Sequence, residues 1–320
     1  MRSPKRIREL LKNRDLFLEQ ARTKLENTTL RLQTNLFTQI INDIVIRLDI
    51  KDGLILDNAN NYRLISELDR VYDTFNKKVI ETLLPQINKG TEMVVNMSKG
   101  YFSVVLSGNL PARFEKILEA TRVLTDLRLG IRMGKMIRGG ALMSMLRVDP
   151  LDFKQLMSKA VTSQMNMKDF VDIVKDNITG SEEKIGLLER QFKSFAYDIY
   201  QQYDRGYNKK LANEFGMKYF IYQGGLIIDS RDFCVCHNGK IFSVEEAEEW
   251  KKWTPDMCEY PPEHPMQAKE GTKYPPNAVP SYLSILGYSP LDDAGGPRCR
   301  HILGFIADEL AFRMRPDLKK

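Results

Sequence analysis

Apolar residues recur at helical spacing through most of the first 215 positions. Leu32, Leu36, Ile40, Ile44 and Leu48 return every fourth residue, which lays them along one side of a helix. Asp49 to Asn61 holds Gly53 and an Asn-Ala-Asn-Asn run and predicts a turn or loop. A second stripe, Ile65, Leu68, Tyr72, Phe75, Val79 and Leu83, predicts a helix interrupted at Pro85 and Gly90. Pro111 suits the start of another, because its missing N–H would be unpaired there anyway. That helix is expected to run towards Leu146, with Gly139 and Gly140 as a weak point, and to break at Asp149-Pro150. The longest stripe is Leu188, Phe192, Phe195, Ile199, Tyr203, Tyr207, Leu211 and Phe215. Thr179-Gly180-Ser181-Glu182 with Glu183 marks its expected start, and Gly216 the residue beyond its end.

After Gly216 the period changes from helix to strand. Lys218 to Tyr222, Gly224-Gly225 and Leu226 to Ile228 read as a hairpin. Lys240 to Phe242 reads as a short strand, and Ser243-Val-Glu-Glu246 as a capping box opening a helix through Trp250. Nine of the 14 prolines fall between Pro255 and Pro297, which predicts a long irregular segment. Arg300 to Ile306 returns as a strand, and Asp308 to Met314 as a short closing helix. The expected fold is therefore mainly α: an elongated helical N-terminal region over 1–215, then a small C-terminal α+β module over 216–320. A chain of 320 residues fits about two domains.

Composition narrows the class. With 42% hydrophobic and 28% charged residues the chain reads as ordinary globular protein, and four Cys are too few for a disulfide-built scaffold. No apolar run reaches the ~18 residues of a spanning helix, and the basic start is broken by charge before any apolar stretch, so neither an integral membrane segment nor a secretory leader is expected. Residues 1–150 carry 25 Lys and Arg against 17 Asp and Glu, whereas 151–320 carry 23 against 25. A basic front half attracts phosphate or an acidic protein surface. Within it Arg128, Arg132, Lys135 and Arg138 follow helical spacing, with Arg122 nearby, and form the candidate surface for nucleic acid or an acidic partner.

All four Cys and all three His lie between Cys234 and His301. Cys234-Val-Cys236-His237 is expected in a loop after a strand, and Cys299-Arg-His301 follows far along the chain. Brought together, Cys234, Cys236, Cys299 and His301 would make a tetrahedral zinc site, since thiolate and imidazole are the ligands zinc prefers. His237, Cys258 and His264 are substitutes. The C-x-C-H and C-x-H spacings match no standard zinc finger. Buried free Cys or a Cys234–Cys299 disulfide are the alternatives. No Ser/His/Asp arrangement stands out.

From Phe195 to Phe305 the chain resembles a known family. A long helix ends in Gly216; then come Tyr219-Phe-Ile-Tyr-Gln-Gly-Gly225, Asp229-Ser-Arg-Asp-Phe-Cys234, Asn238-Gly-Lys-Ile-Phe242, a Glu-rich helix with Trp250, and Gly295-Gly-Pro-Arg-Cys-Arg-His301. This order is similar to the C-terminal module of tailed-phage head morphogenesis proteins, the Mu F-like minor head protein family. The matching positions are Asp229, Ser230, Arg231, Cys234, Gly239, Lys240, Gly296, Cys299, Arg300 and His301. Cys236 and His237 depart from the pattern.

The resemblance implies a minor structural protein of a phage head. It would be present in several copies, would bind the portal or major capsid protein from inside, and would assist assembly or DNA packaging and ejection. Its place would be the virion, and the host cytoplasm during assembly, with packaged DNA as a further partner. The alternatives are a zinc-dependent hydrolase acting on nucleic acid or peptide, and a DNA-binding accessory protein.

Overall fold

The structure, a computed structural model, describes residues 3–106, 110–182, 185–227, 230–254, 257, 287–296 and 298–319, with backbone alone at 188–191 and 193–197. The fold is mainly α, with long helices first and a small antiparallel sheet near the C-terminus. Helix α1 spans Pro4–Asp43. The hairpin β1 (Ile50–Lys51) and β2 (Leu54–Ile55) leads into α2, Ala59–Val105. Then follow α3 (Phe114–Leu129), the hairpin β3 (Ile131–Arg132) and β4 (Lys135–Met136), α4 (Ala141–Leu146), α5 (Leu151–Thr162), α6 (Met167–Ile178) and α7 (Leu187–Glu214). The C-terminal part holds β5 (Tyr219–Gln223), α8 (Asp232–His237), β6 (Ile241–Ser243), α9 (Val244–Glu248), α10 (Pro290–Asp293), β7 (Ile302–Ile306) and α11 (Asp308–Met314). Among the described residues no helix is long and apolar enough to cross a membrane.

Two compact units are interleaved in sequence. One gathers residues 1–22, 89–129 and 197–320; the other gathers 23–88 and 130–196. Gly216 is where helix gives way to strand, but the unit holding the sheet also takes in both the start of α1 and the end of α2.

Locally coded features form as expected. The stripe from Leu32 to Leu48 is buried, as are Leu68, Tyr72, Phe75, Val79 and Leu83. Gly216 adopts φ +64°, and the Met217 N–H bonds back to the Ala212 carbonyl, so α7 ends in a left-handed cap. Ser243 and Glu246 complete the capping box in both directions.

Four expectations are corrected. Pro85 and Gly90 do not interrupt the second helix: α2 runs through both. Pro85 is exposed, while Leu83 and Ile87 beside it are fully buried and hold the helix across the missing hydrogen bond. Gly90 has a different use, since a Cβ there would stand 2.2 Å from the Tyr200 ring. The basic segment is not one helix. Gly130 (φ +86°) ends α3, and Met133 (φ +50°) with Gly134 (φ +72°) makes the turn of the β3–β4 hairpin. Thr179 closes α6 rather than opening α7, which begins at Leu187. The expected hairpin from Lys218 is not formed either. β5 instead lies between β6 and β7, antiparallel to both, with Phe220 opposite Phe242 and Tyr222 opposite Leu303.

The sheet is closely seated within its unit. All of β7 is buried. Gly304 leaves the gap that Leu11 of α1 fills, since a Cβ there would stand 2.4 Å from Leu11 Cδ1. Arg14, 1% exposed, pairs with the fully buried Asp204 of α7 at 3.1 Å and donates to the Leu303 carbonyl at 3.1 Å. Burial raises the Asp204 carboxyl, opposed by Arg14 and Arg205.

Candidate metal centre

Three segments converge behind the sheet. β5 presents Tyr222 on its inward side, fully buried. The chain then turns at Gly224, and the Ile227 N–H donates to Ser230 Oγ at 2.7 Å, which sets the entry to α8. Arg231 is the extended residue before that helix, and Cys234 lies in its first turns. The third segment is Cys299-Arg-His301, immediately before β7.

Cys234, Cys299 and His301 form a buried cluster whose ligand atoms lie within 4.8 Å of one another. The sulfurs are 3.9 Å apart, both free, and Cys299 Sγ is 3.8 Å from His301 Nδ1. The alternative of a Cys234–Cys299 disulfide is therefore not realised. Tyr222 Oη stands 3.5 Å from Cys234 Sγ and 3.3 Å from Cys299 Sγ, and its ring stacks on His301 at 4.5 Å and 15°. His301 Nε2 is buried without a hydrogen-bond partner.

A tetrahedral ion with bonds of about 2.3 Å to sulfur and 2.0 Å to nitrogen would separate its sulfurs by about 3.8 Å and sulfur from nitrogen by about 3.5 Å. The observed separations, 3.9 and 3.8 Å, match to within about 0.3 Å. Gly295 keeps the middle of the cluster clear. A Cβ there would lie 2.6 Å from Cys234 Sγ, 3.1 Å from Tyr222 Oη and 3.3 Å from Cys299 Sγ, inside the cradle an ion would fill. Gly224 does the same on the imidazole side, where a Cβ would meet His301 at 2.8 Å. The cluster can hold a metal.

The electrostatics favour a shared charge. The hydrogen bond to Cys299, together with burial, pushes the Cys234 thiol well above its usual range. Burial pushes Cys299 up as well, but Cys234, His301 and Arg205 outweigh it and hold Cys299 well below that range. Burial raises Asp15 of α1 to about 6, against the pull of His301 and the Gly225 N–H. Arg205 fixes the backbone of the last segment: Nη1 donates to the carbonyls of Cys299 (3.1 Å) and His301 (3.0 Å), and Nε to that of Asp292 (2.6 Å).

Two expected ligands are not in the cluster. Cys236 is disulfide-bonded. The reason is geometric: Cys234 and Cys236 sit in a helix rather than a loop, where two residues turn the side chain by about 200°. His237 is a core ring. It stacks on Phe233 at 3.9 Å and Phe242 at 5.1 Å, meets Trp250 edge-on, and its Nδ1–H donates to the Phe233 carbonyl at 2.6 Å. Burial pushes its pKa down to about 4. The substitutes Cys258 and His264, and Asp229 of the motif, lie outside the described residues.

The other described motif residues take separate places. Gly239 (φ +76°) donates its N–H to the Tyr222 carbonyl at 2.7 Å, and Gly296 takes φ +93°. Arg300 pairs with Glu19 of α1 at 3.2 Å. Lys240 is exposed and lines a cavity of about 440 Å³ with Arg8, Phe242, Trp250, Met314 and Arg315, which contains no residue of the cluster.

The five basic candidates do not share a helix face. Arg122 pairs with Asp126 at 3.8 Å and Arg128 with Asp292 at 3.3 Å. Arg132, Lys135 and Arg138 are exposed around the β3–β4 hairpin and make no ion pair among the described residues. Met133, at the hairpin tip, is 92% exposed.

The pattern of Cys and His did not point to Tyr222, Arg205 or Asp15. The glycine pairs Gly224-Gly225 and Gly295-Gly296 were the available signal, because glycine marks close approach of backbone to another group. No family model, no curated protein and no solved structure matches the chain.

Proposed function

We propose that this chain is a minor structural protein of a tailed-phage head, acting at the portal or inner capsid, with a C-terminal module made rigid by one zinc ion. The observation that carries the reading is that the two ends of the motif set meet in space: Cys234 of the first and Cys299 and His301 of the last are in contact distance. Gly224 and Gly295 of the same motifs make room for the cluster. Zinc suits two sulfurs and an imidazole, whereas magnesium and calcium want oxygen.

A pin favours a structural role over a hydrolytic one. A catalytic zinc keeps an open position for water and substrate. Here the ligand atoms are buried, and the cavity of about 440 Å³ is lined by other residues. Two measurements test the proposal. Metal analysis of the purified protein should give one zinc per chain, and the protein should co-purify with particles and bind portal protein. Absence from particles together with failure to bind portal sinks the virion role; a protein that folds without zinc at any stoichiometry sinks the pin.

The β3–β4 hairpin supports DNA contact as a second reading. It presents Arg132, Lys135 and Arg138, which make no ion pair among the described residues, beside the exposed Met133. Three phosphate contacts give a slope of log affinity on log salt near about −2.7. Replacing the three cations with alanine should flatten that slope; binding that ignores salt removes this reading.

A further inference from the structure

We infer that Tyr222 is the fourth protein ligand of the ion, making a four-ligand centre from the thiolates of Cys234 and Cys299, the His301 imidazole and the Tyr222 phenol oxygen. The inference rests on the zinc pin proposed above.

Geometry gives the first support. A tetrahedral ion would place a phenolate oxygen about 3.5 Å from each sulfur. Tyr222 Oη is 3.5 Å from one and 3.3 Å from the other, while the sulfurs are 3.9 Å apart and Cys299 Sγ is 3.8 Å from His301 Nδ1. The virtual Cβ on Gly295 marks a point 2.6, 3.1 and 3.3 Å from Cys234 Sγ, Tyr222 Oη and Cys299 Sγ. The phenol therefore faces the same small space as the thiols, rather than standing behind them.

Elimination among the described residues gives the second. Cys236 is disulfide-bonded, and His237 is enclosed between Phe233 and Phe242 with its Nδ1 committed to a carbonyl. Among the described residues no carboxylate oxygen joins the two sulfurs and the imidazole. The hydroxyl of Tyr222 bonds to the two cluster sulfurs. The ring is locked by stacking on His301 and by edge contacts to Phe233 and Trp250, so the oxygen is held where it is with little entropy left to lose.

Charge and proton accounting is consistent. Zinc with two thiolates, one phenolate and a neutral imidazole carries one net negative charge. Arg205, whose guanidinium acts on Cys299 and bonds the carbonyls of both last-segment ligands, supplies the compensating positive charge. On binding, the phenol oxygen forms a bond to zinc and its proton leaves to buffer.

The test compares the full-length wild-type chain with Tyr222→Phe, a change that keeps the ring and its stacking. Zinc X-ray absorption on the wild type should report two sulfur and two nitrogen or oxygen neighbours, and on the variant one fewer of the latter from protein. Zinc affinity by chelator competition should fall at least about 100-fold. Calorimetry in buffers of different ionisation heat should show one proton fewer released. Circular dichroism of both proteins confirms that the variant folds. Zinc bound to the variant with unchanged coordination and affinity within about ten-fold overturns this inference alone, leaving Tyr222 as a hydrogen-bond donor to thiolate. A third sulfur in the wild type overturns it as well. No zinc in the wild type overturns the pin and this inference together.

Discussion

Arg205 provides the sharpest test of how the centre is held. Its side chain is 1% exposed and donates to three carbonyls, the buried ones of Cys299 and His301 and the part-buried one of Asp292. Replacing it with methionine leaves all three without that donor. An orphaned buried polar group costs ~1–3 kcal/mol, so the two buried carbonyls together amount to about 2–6 kcal/mol. The methionine stem packs against the same apolar walls and recovers part of this, and the carbonyls relax, which leaves an expected loss of about 3–5 kcal/mol. Arg205→Lys should fall between, because a single ammonium keeps the charge near Asp204 but cannot span three carbonyls. Urea unfolding of the three proteins in excess chelator reads the stability part. Zinc affinity reads the positioning part, for which a loss of about 10–100-fold is expected, as for other groups that orient ligands. A methionine variant within about 1 kcal/mol of wild type, with unchanged zinc affinity, would refute the reasoning.

Gly295→Ala places a methyl group 2.6 Å from Cys234 Sγ, in the cradle itself. It should abolish zinc binding in metal analysis while costing about 1–3 kcal/mol in urea unfolding. Gly90→Ala drives a methyl into the Tyr200 ring at 2.2 Å and should cost a similar amount without touching zinc stoichiometry. His237 has a folded pKa of about 4 against an ordinary 6.5, so the unfolded chain takes up the proton first as pH falls. Its contribution is complete above about pH 6.5 and is lost progressively towards pH ~4, roughly 3 kcal/mol in all. Urea midpoints from about pH 7.5 to 4 should show this slope in wild type and a flatter one in His237→Phe; identical slopes count against a neutral buried ring.

What the sequence reveals and what it conceals divide along the range of the interaction. Ser243-Glu246, Gly216 and the strand and helix from Ile302 to Met314 are read correctly because each is decided within a few residues. The 131–136 hairpin is missed because Ile131, Met136 and Ile137 satisfy both periods, and Met-Gly is a poor hairpin signal beside Asn-Gly. Pro85 is misread because propensity is local, whereas burial of Leu83 and Ile87 is tertiary. The Cys/His window is visible from counts alone, and Cys234, Cys299 and His301 do meet. Their meeting depends on the pairing of β5 with β7, a long-range contact that local signals do not show. Cys236 is lost to the cluster by the helical turn of α8, and Tyr222 enters it through strand alternation, which fixes a face but not what waits there.

The seating of α1 against β7 sets an order on synthesis. Arg14 finds the Leu303 carbonyl 289 positions later, and Leu11 finds the gap at Gly304. At ~5–20 residues per second, a ribosome takes roughly 15–60 s to cover that distance. The unit made of 23–88 and 130–196 has all its residues by then, while Leu11 and Arg14 still lack the final strand. A chain terminated before Leu303 would leave Leu11 and Arg14 without the strand they pack against, open to chaperones and proteases. Completion of the last strand is thus the step at which the nascent molecule conceals its own beginning.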